Sequence, residues 1–460
     1  RARGVRIGPD YVQMLKVTYE MIGLRPGREL RLAIGIAGTG PDWRCAMGHY
    51  VKTYPELFEP VPAARRYEGL YGIGSLARMT DETVETLKAE GVSVYELHGS
   101  FWQYGWWTRK DFIAQPDTAE FLCRSHPTEK MTVAGNRKWI RKLTQAGVAP
   151  IMYFYNVHAH RDTIEKHFKD DLFRDERDRP MSQYRSNEFT LRGVPESGYG
   201  KHVLEQADLM LKAYPEAPGF FLDNYSIHMV SFAHDDGVTM VRNRPVYDLN
   251  RNHQVLGPAC MEKFHRAGKI NMINKCMTIE SARGADMVLA ETRGLGYYKQ
   301  LALVCSFRAL LPLGWRPGGG HDTLERAMQH ILVLGGLPDR TLRAWDQSAS
   351  GNAQTFDRYR RLTDALIGKR WVFEPHPLTV PPPLEGQIFR IDKHAPRAGD
   401  VVVTLVDPSK SWKDRKLRES VTVTIAISDS AELRKATWLG VETPTGKPLP
   451  CKISREGAKL

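Results

Sequence analysis

Residues 84–97 read VETLKAEGVSVYEL, in which an amphipathic stretch ends at a glycine and is followed by a short apolar run. The same order returns in residues 137–155, RKWIRKLTQAGVAPIMYFY, and in residues 261–274, MEKFHRAGKINMIN. Glycine adopts the left-handed conformation that often ends a helix at little cost. The pattern therefore predicts a repeated helix–strand unit of the kind that builds a parallel sheet.

Several apolar runs between residues 67 and 372 predict the strands of this sheet. They are residues 70–75, 93–98, 149–155, 219–223, 270–274, 287–291 and a less regular run at 302–311. We place an eighth strand near residues 341–345, between two helical stretches. Seven or eight such units over roughly 300 residues predict an α/β protein with a (β/α)8 TIM barrel, because a doubly wound sheet would be shorter.

The residues after the barrel predict a second domain over residues 373–460. Residues 374–383, EPHPLTVPPP, are too rich in proline for a helix or a central strand and predict a linker. The β-branched runs VVVTLV (401–406) and VTVTIAI (421–427) follow without a helical period between them. We therefore predict a C-terminal β-sandwich.

The residues before the barrel, 1–66, predict the remnant of an N-terminal β domain, because the run RLAIGIA (31–37) is typical of a strand. The chain starts RARGVRIGPDY, with neither an initiator Met nor the apolar segment of a signal peptide. This start indicates a processed or truncated chain. We expect a secreted or periplasmic protein if the preceding residues carried a signal peptide.

The formal net charge of +12 would attract polyanions, and nucleic acid is the first class to consider. The basic residues are interleaved with acids, however, as in RDTIEKHFKDDLFRDERDRP (161–180), and they form no basic stripe with interleaved aromatic rings. No apolar run approaches the ~18 residues of a membrane-spanning helix. We therefore expect neither a nucleic-acid partner nor a membrane span.

Barrel enzymes assemble their active sites at the C-terminal ends of the strands. Polar side chains occupy these positions in five of the predicted strands, and we predict that they bind the substrate. They are Glu96 and His98 at the second strand, Tyr155, Asn156 and His158 at the third, Asp223, Asn224 and Tyr225 at the fourth, Asn274 at the fifth, and Glu291 and Arg293 at the sixth.

Two of these strands run through apolar residues and stop on an acid: GFFLDNY (219–225) at Asp223 and ADMVLAETR (285–293) at Glu291. A carboxylate at a strand end is available for chemistry rather than for packing. Glycoside hydrolysis requires two carboxyl groups, one that protonates the leaving oxygen and one that attacks the anomeric carbon or activates water. We therefore predict Asp223 and Glu291 as the catalytic pair.

Aromatic residues support a sugar substrate, because flat rings stack on the apolar faces of pyranose rings. The loop FWQYGWW (101–107) contributes Trp102, Tyr104 and Trp106 as candidate substrate-binding residues. Trp315, in LGWRPGGGHD (313–322), is another. The alternative is that the rings form a small core beneath a long loop.

The motifs LDNY (222–225) and LAET (289–292), with a β-sandwich after the barrel, resemble the retaining α-glycosidases of the α-galactosidase type. Endo-α-N-acetylgalactosaminidase-like enzymes are related to this group. The resemblance implies Asp223 as the nucleophile and Glu291 as the general acid and then base. The chain departs from this group at Glu291, where the α-galactosidase-type enzymes usually have Asp.

The sequence thus predicts a glycoside hydrolase that cleaves an oligosaccharide or polysaccharide by paired-carboxylate catalysis. The resemblance implies that the anomeric configuration is retained. The positive net charge makes an anionic glycan one candidate substrate. We expect no cofactor and no metal. The alternatives are a noncatalytic carbohydrate-binding barrel, a polysaccharide lyase, and a metal-dependent hydrolase that uses His158 and His160.

Overall fold

The computed structural model describes residues 23, 26–27, 29, 38–40, 42–182, 187–291, 295–313, 322–344, 352–407, 422–428, 436–440 and 443–449. Within these ranges, one seven-stranded parallel sheet dominates the architecture, and its strands pair in chain order. They are β1 Leu70–Gly74, β2 Val92–Leu97, β3 Ala149–Phe154, β4 Gly219–Leu222, β5 Ile270–Asn274, β6 Met287–Glu291 and β7 Ala309–Leu313. The sheet curls into a nearly closed barrel, which confirms the predicted TIM-barrel fold.

A short segment takes the place of the eighth strand. The Leu337 N–H donates to the Leu310 carbonyl at 2.9 Å, and the Tyr71 N–H donates to the Pro338 carbonyl at 3.1 Å. Residues 337–339 therefore link β7 to β1. The predicted strand at 341–345 is wrong, because its described residues lie in the 3-10 helix Arg340–Ala344.

The helices lie between these strands as the repeated pattern predicts. In chain order the described helices are α1 Trp43–Thr53, α2 Asp81–Ala89, α3 Lys110–Ala114, α4 Val133–Gln145, α5 Arg161–His167, α6 Gly198–Ala213, α7 Asn250–Arg266, α8 Leu295–Cys305, α9 Asp322–Val333 and α10 Asn352–Thr363. The connection from β5 to β6 is shorter and contains the 3-10 helix Glu280–Ala282.

Local sequence explains where three of these helices begin and where three of them end. The side chains of Thr80, Thr132 and Ser197 accept a hydrogen bond from the N–H three residues later and so cap α2, α4 and α6. The glycines that the sequence pattern places at the helix ends, Gly91, Gly147 and Gly268, have φ angles of 70°, 83° and 73°. Each helix that ends there can therefore turn directly into the next strand.

The seventh strand starts later than the sequence predicts. Residues 302–305 belong to α8, and β7 begins only at Ala309. The whole stretch LALVCSFRALLPL (301–313) is mostly apolar, so periodicity cannot separate the end of a buried helix from the start of a buried strand. Ser306, with a φ of 30°, marks the change of direction.

The C-terminal residues form several small antiparallel sheets. The strands Lys369–Trp371, Glu385–Ile391 and Val401–Val406 build one sheet, Leu378–Thr379 pairs with Thr424–Ile425, and Ala436–Gly440 pairs with Thr443–Leu449. The predicted linker at 374–383 thus contains a two-residue strand, and the strand at 385–391 escaped prediction because its polar and apolar residues alternate only in part. The β-sandwich as a unit and the boundary at 372/373 stay predictions.

The N-terminal prediction rests on residues 31–37, which lie outside the described residues. From Asp42 onward the described chain is helical, with α1 followed by the 3-10 helices Pro55–Leu57 and Pro62–Tyr67. Asp42 caps α1 by accepting a hydrogen bond from the Arg44 N–H at 3.0 Å. None of the helices in the described part of the chain is both long and apolar enough to cross a membrane.

Paired segments extend the loops at the C-terminal ends of β2, β3 and β4. They are Phe121–Cys123 with His126–Met131, His158–His160 with Glu188–Thr190, Val230–Ser231 with Tyr247–Asp248, and Met240–Val241 with Arg244–Pro245. Every residue of β3, β4 and β5 is buried, since helices or loops cover the outer face and side chains fill the interior. The loops therefore form a rim above a packed barrel.

Candidate active site

An open cleft of about 430 Å³ lies at the C-terminal ends of the barrel strands. Its apolar floor consists of Ile73, Phe221, Leu289 and Leu313, which come from β1, β4, β6 and β7. Its polar wall consists of Glu96, His98, Tyr104, Arg124, Tyr153, Glu188, Asp223, Asn224, Asn274 and Glu291. Seven of these ten are residues that the sequence predicts for the site; Tyr153, Arg124 and Glu188 are the additions.

One amide group joins the two predicted catalytic carboxylates. The side-chain nitrogen of Asn274 donates to Oδ1 of Asp223 at 2.7 Å and to Oε2 of Glu291 at 2.9 Å. Both partners are acceptors, which fixes the amide with its NH₂ group toward them. Two oxygens bonded to the same nitrogen at these distances are no more than about 5.6 Å apart, an upper limit below the separation of roughly 6.5–9.5 Å that inverting glycosidases use.

Asp223 follows β4 directly and is held by several donors. Its Oδ2 accepts hydrogen bonds from the Tyr153 hydroxyl at 2.5 Å and from the Asn224 amide at 3.1 Å, in addition to the Asn274 bond at Oδ1. Its backbone N–H donates to the Phe154 carbonyl at 3.1 Å, which extends the pairing of β3 and β4 by one residue. The carboxylate therefore has a fixed position and orientation.

Glu291, the last residue of β6, is in a more open environment. Its side chain is 55% exposed, and Lys275 Nζ lies 3.9 Å from Oε2. Among the described residues, the Asn274 amide and this lysine are its polar partners. The two carboxylates thus differ: Asp223 is constrained by three donors, whereas Glu291 faces solvent and can exchange protons with it.

The backbone is left-handed just after both β4 and β5. Asn224 has a φ of 53° and Lys275 a φ of 63°. Asparagine tolerates this region, whereas lysine rarely adopts it. At Lys275 the conformation is maintained by an N–H hydrogen bond to the Leu289 carbonyl at 2.8 Å. These turns direct the residues that follow the two strands around the carboxylate pair.

A further acid of the cleft wall, Glu96, lies in β2 and is almost fully buried. It accepts hydrogen bonds from the Tyr71 hydroxyl and, at 2.8 Å, from Nδ1 of His98. Burial raises the pKa of Glu96, and the bond to His98 opposes that shift. Glu96 therefore orients the imidazole so that Nε2 is the nitrogen left for other partners.

The pKa of His98 depends on three of the acids in the cleft wall. Burial lowers its pKa, but the hydrogen bond and charge of Glu96, together with the charges of Asp223 and Glu291, outweigh burial and raise the pKa above 6.5. The side chain is 46% exposed. The charged imidazole of His98 is therefore more favoured than in a free histidine, and the side chain remains accessible to a ligand.

Arg124 and Glu188 form an ion pair on the rim, and the sequence does not predict either residue. Arg124 also lies over the Tyr104 ring, with 5.1 Å from Cζ to the ring centroid. Burial lowers the pKa of Arg124, but the hydrogen bond and charge of Glu188 raise it more. Arg124 lies in the turn between the loop strands Phe121–Cys123 and His126–Met131, and Glu188 begins the loop strand Glu188–Thr190. Periodicity did not detect these short elements, which is why sequence reasoning missed both residues.

The remaining aromatic candidates pack into the loop itself. Trp102 contacts the Phe112 ring at 5.8 Å and carries Arg109 over its face at 5.0 Å. Trp106 lies 4.5 Å from the His202 ring. Both are half-buried and neither lines the cleft. Of the three candidates in this loop, the structure brings Tyr104 to the cleft.

Four other candidates after β3 and β4 are buried in the wall. Tyr155 stacks on His158 and its hydroxyl lies 2.5 Å from the His158 Nδ1, while the Tyr225 hydroxyl donates to the His253 carbonyl at 2.7 Å. Asn156 is fully buried, and its amide has no hydrogen-bond partner among the described residues. Arg293 and Trp315 lie outside the described residues.

The described part of the chain contains no group of three or more His, Cys, Asp or Glu side chains that could hold a metal ion. Of the two histidines considered as metal ligands, His158 is fully buried, and its Nε2 lies 2.9 Å from the Thr190 hydroxyl. Burial, together with the charge of His253, lowers the pKa of His158 to about 3. His160 caps α5 through a bond from the Asp162 N–H.

No family model matches the chain. No curated protein sequence matches it either. Among solved structures, an α-N-acetylgalactosaminidase from Bifidobacterium bifidum aligns with a TM-score of 0.48 at 13% identity, over 79% of this chain and 62% of that chain. A cycloalternan-degrading enzyme from Trueperella pyogenes aligns with a TM-score of 0.48 at 12% identity, over 83% of this chain and 64% of that chain.

An α-amylase from Lactobacillus plantarum aligns with a TM-score of 0.46 at 11% identity, over 86% of this chain and 97% of that chain. The chain thus spans less than two thirds of the length of the α-N-acetylgalactosaminidase and of the cycloalternan-degrading enzyme. At these identities the similarity concerns the course of the backbone, and the barrel assignment rests on the strand order itself.

Proposed function

We propose that the protein is a glycoside hydrolase that cleaves an oligosaccharide or polysaccharide with Asp223 and Glu291 as its catalytic carboxyl groups. The observation that carries this proposal is the shared Asn274 amide, which holds the two carboxylates close together at the mouth of the barrel. Paired carboxyl groups at such a spacing support a double displacement through a covalent glycosyl–enzyme intermediate.

In this mechanism Asp223 attacks the anomeric carbon. Its three hydrogen-bond donors hold the carboxylate in one orientation, which suits a nucleophile that must approach the substrate from a fixed direction. Glu291 protonates the leaving oxygen and then removes a proton from the incoming water. Its exposure suits this role, since it must meet both the leaving group and solvent. The Asn274 amide keeps the two groups at one separation through both steps.

The other cleft residues suit the recognition of a sugar. Tyr104 and Phe221 supply apolar ring surface, while His98, Asn224 and Arg124 supply donors for hydroxyl groups. Each cation of the described cleft contacts an acid: His98 contacts Glu96, Arg124 contacts Glu188 and Lys275 contacts Glu291. This balance supports an uncharged sugar over an anionic one at the reacting position.

The test is a screen of the wild type, Asp223→Asn and Glu291→Gln against neutral and anionic glycans and aryl glycosides, with released reducing sugar as the readout. We expect both variants to lose at least two orders of magnitude in kcat/KM. Glu262→Gln, on the exposed side of α7 and paired with Arg266, is the matched control and should retain activity.

The stereochemical part has its own measurement. Azide should rescue Asp223→Gly with formation of a glycosyl azide, and proton NMR should show that the first product keeps the anomeric configuration of the substrate. A first product of inverted configuration would be compatible with Asp223 and Glu291 as the catalytic pair, but it would contradict the retaining mechanism. Glycan binding without turnover by the wild type would instead identify a noncatalytic carbohydrate-binding barrel.

A further inference from the structure

Two buried cations with no acidic partner lie at the base of the barrel, at the end opposite the cleft. Arg308 precedes β7 and is fully buried, and Lys369, the first residue of the strand Lys369–Trp371, is 1% exposed. Nζ of Lys369 lies 2.9 Å from the carbonyl oxygen of Arg308. Within the described ranges, no carboxylate oxygen comes within 4.0 Å of a charged nitrogen of either residue.

The guanidinium group of Arg308 is only partly satisfied. Its Nε donates to the Ala285 carbonyl at 2.6 Å, but Nη1 and Nη2 have no hydrogen-bond partner although both are buried. These two nitrogens carry four of the five N–H donors of the side chain. Leaving charged donors buried and unpaired is strongly unfavourable, so an acceptor is required at this position.

The acids whose charges act on these two cations are already committed to other groups: Glu68, which acts on Lys369, pairs with Arg65, and Asp286 and Glu59 act on Arg308. Asp286 accepts hydrogen bonds from His265 at 2.8 Å and from two backbone N–H groups at 2.7 and 2.8 Å. Glu59 holds Arg370 through two bonds of 2.6 and 2.7 Å. Neither Asp286 nor Glu59 lies within ion-pair distance of Arg308. Their negative charges act on its guanidinium group only over a longer distance.

The neighbouring thiols do not supply the missing negative charge. Burial raises the pKa of Cys305 to about 11 and that of Cys276 to about 12, so both are neutral thiols at neutral pH. Burial also lowers the pKa of Lys369 to about 8, which leaves most of its charge in place at pH 7. At this junction of the barrel with the C-terminal sheet, Arg308 and Lys369 are therefore two buried positive charges without a carboxylate or thiolate of the described residues in direct contact.

We propose that Nη1 and Nη2 of Arg308 bind a buried monovalent anion of the halide class, with chloride as the physiological candidate, in the field of Lys369. A halide accepts N–H groups from any direction and needs no donor in return, and it is small enough for an enclosed position. Sulfate and phosphate present four oxygens that would all need donors. The anion would stabilise the contact between β7 and the strand Lys369–Trp371.

The test measures the Tm of the full chain at constant ionic strength while chloride or bromide replaces gluconate. We expect a saturable, halide-specific rise on the order of 2 °C or more, since a ligand that binds only the folded state stabilises it. Arg308→Met should abolish the halide dependence. Arg397→Met, which removes an exposed cation of the C-terminal region, should keep it.

A second measurement covers the case in which Arg308→Met does not fold. Crystals of the wild type grown or soaked in bromide should give an anomalous peak within hydrogen-bond distance of the Arg308 terminal nitrogens. A water molecule without anomalous signal at that position, or a Tm that responds equally to gluconate and chloride, would overturn the proposal. Both readouts are independent of glycosidase activity.

Discussion

The Tyr153 hydroxyl donates a 2.5 Å hydrogen bond to Oδ2 of Asp223 from a ring that is buried in the barrel interior. Burial and the charge of Asp223 raise the pKa of this phenol well above 10, so the group stays a donor over the whole working pH range. Its ring also stacks on Phe101 at 5.3 Å, which fixes its direction.

We therefore predict that Tyr153→Phe lowers kcat/KM on the order of 10- to 100-fold, because the loss of one positioned donor weakens the orientation of Asp223, the proposed nucleophile. Steady-state kinetics on the best substrate from the screen provides the measurement. Tyr155→Phe is the matched control, since its hydroxyl contacts His158 within the wall and should leave kcat/KM within about three-fold of the wild type. Equal losses in both variants would contradict the assignment.

A second prediction concerns the energetic coupling through Asn274. Because one amide serves both carboxylates, Asn274→Ala should lower kcat/KM on the order of 100-fold in the wild type but have a much smaller effect when Asp223 is already Asn. A double-mutant cycle on kcat/KM measures this difference. Asn271→Ala changes an amide in the same strand that bonds to the Met261 and Gly284 carbonyls, so its effects should be additive.

The Glu96–His98 pair predicts a pH dependence. Because the folded pKa of His98 is raised above 6.5, the charged imidazole contributes stability that is complete below pH 6.5 and is lost as the pH rises through the folded pKa. Glu96→Gln should lower that pKa and move the loss to lower pH. An NMR titration of the His98 ring in both proteins gives the answer, and an unchanged midpoint would contradict it.

Two buried histidines predict the response to acid. Burial lowers the pKa of His158 and of His253 to about 3. Below pH 6.5 both histidines are protonated in the unfolded chain but remain neutral in the folded chain. As the pH falls from 6.5 to 3, each histidine therefore lowers the free energy of unfolding by roughly 1.4 kcal/mol per pH unit. Urea unfolding at several pH values gives the free energy of unfolding as a function of pH, and this curve should have a shallower slope for His253→Phe than for the wild type. His394→Gln, at an exposed position, should keep the wild-type slope.

The sequence predicts the barrel well because its strands have a simple signature. A strand that is buried on both faces is apolar throughout, and the glycines at 91, 147 and 268 mark the boundary from the preceding helix. Strands β1 to β6 are accordingly within one residue of their predicted ends. The predicted start of β7 is wrong, because the preceding helix α8, Leu295–Cys305, is as apolar as a buried strand.

The site is predictable only in part, for a geometrical reason. The rule that active sites lie at strand ends finds Asp223, Asn274 and Glu291, but it does not tell which way a side chain turns after the strand has ended. Tyr225 follows Asp223 by two residues, yet its hydroxyl bonds to a backbone carbonyl of α7. Such orientations depend on packing between elements distant in sequence, which periodicity does not encode.

Tyr153 illustrates the opposite error. It lies within β3 rather than at its end, so a search limited to strand ends passes over it. Its register partner on β4 is Phe221, which lines the cleft, and a polar tip among inward-facing apolar residues is itself a signal. A buried tyrosine within a barrel strand is therefore as much a candidate site residue as an acid at the strand end.

The eighth position of the wall has a consequence for the motion of the barrel. Residues 337–339 join β7 and β1 through few backbone hydrogen bonds, whereas the neighbouring strands elsewhere pair over longer stretches. The barrel wall therefore has its weakest backbone pairing at this seam, on the side away from β4 and β5. An opening at this seam would widen the cleft between β1 and β7 without breaking the hydrogen bonds of Asn274 to Asp223 and Glu291.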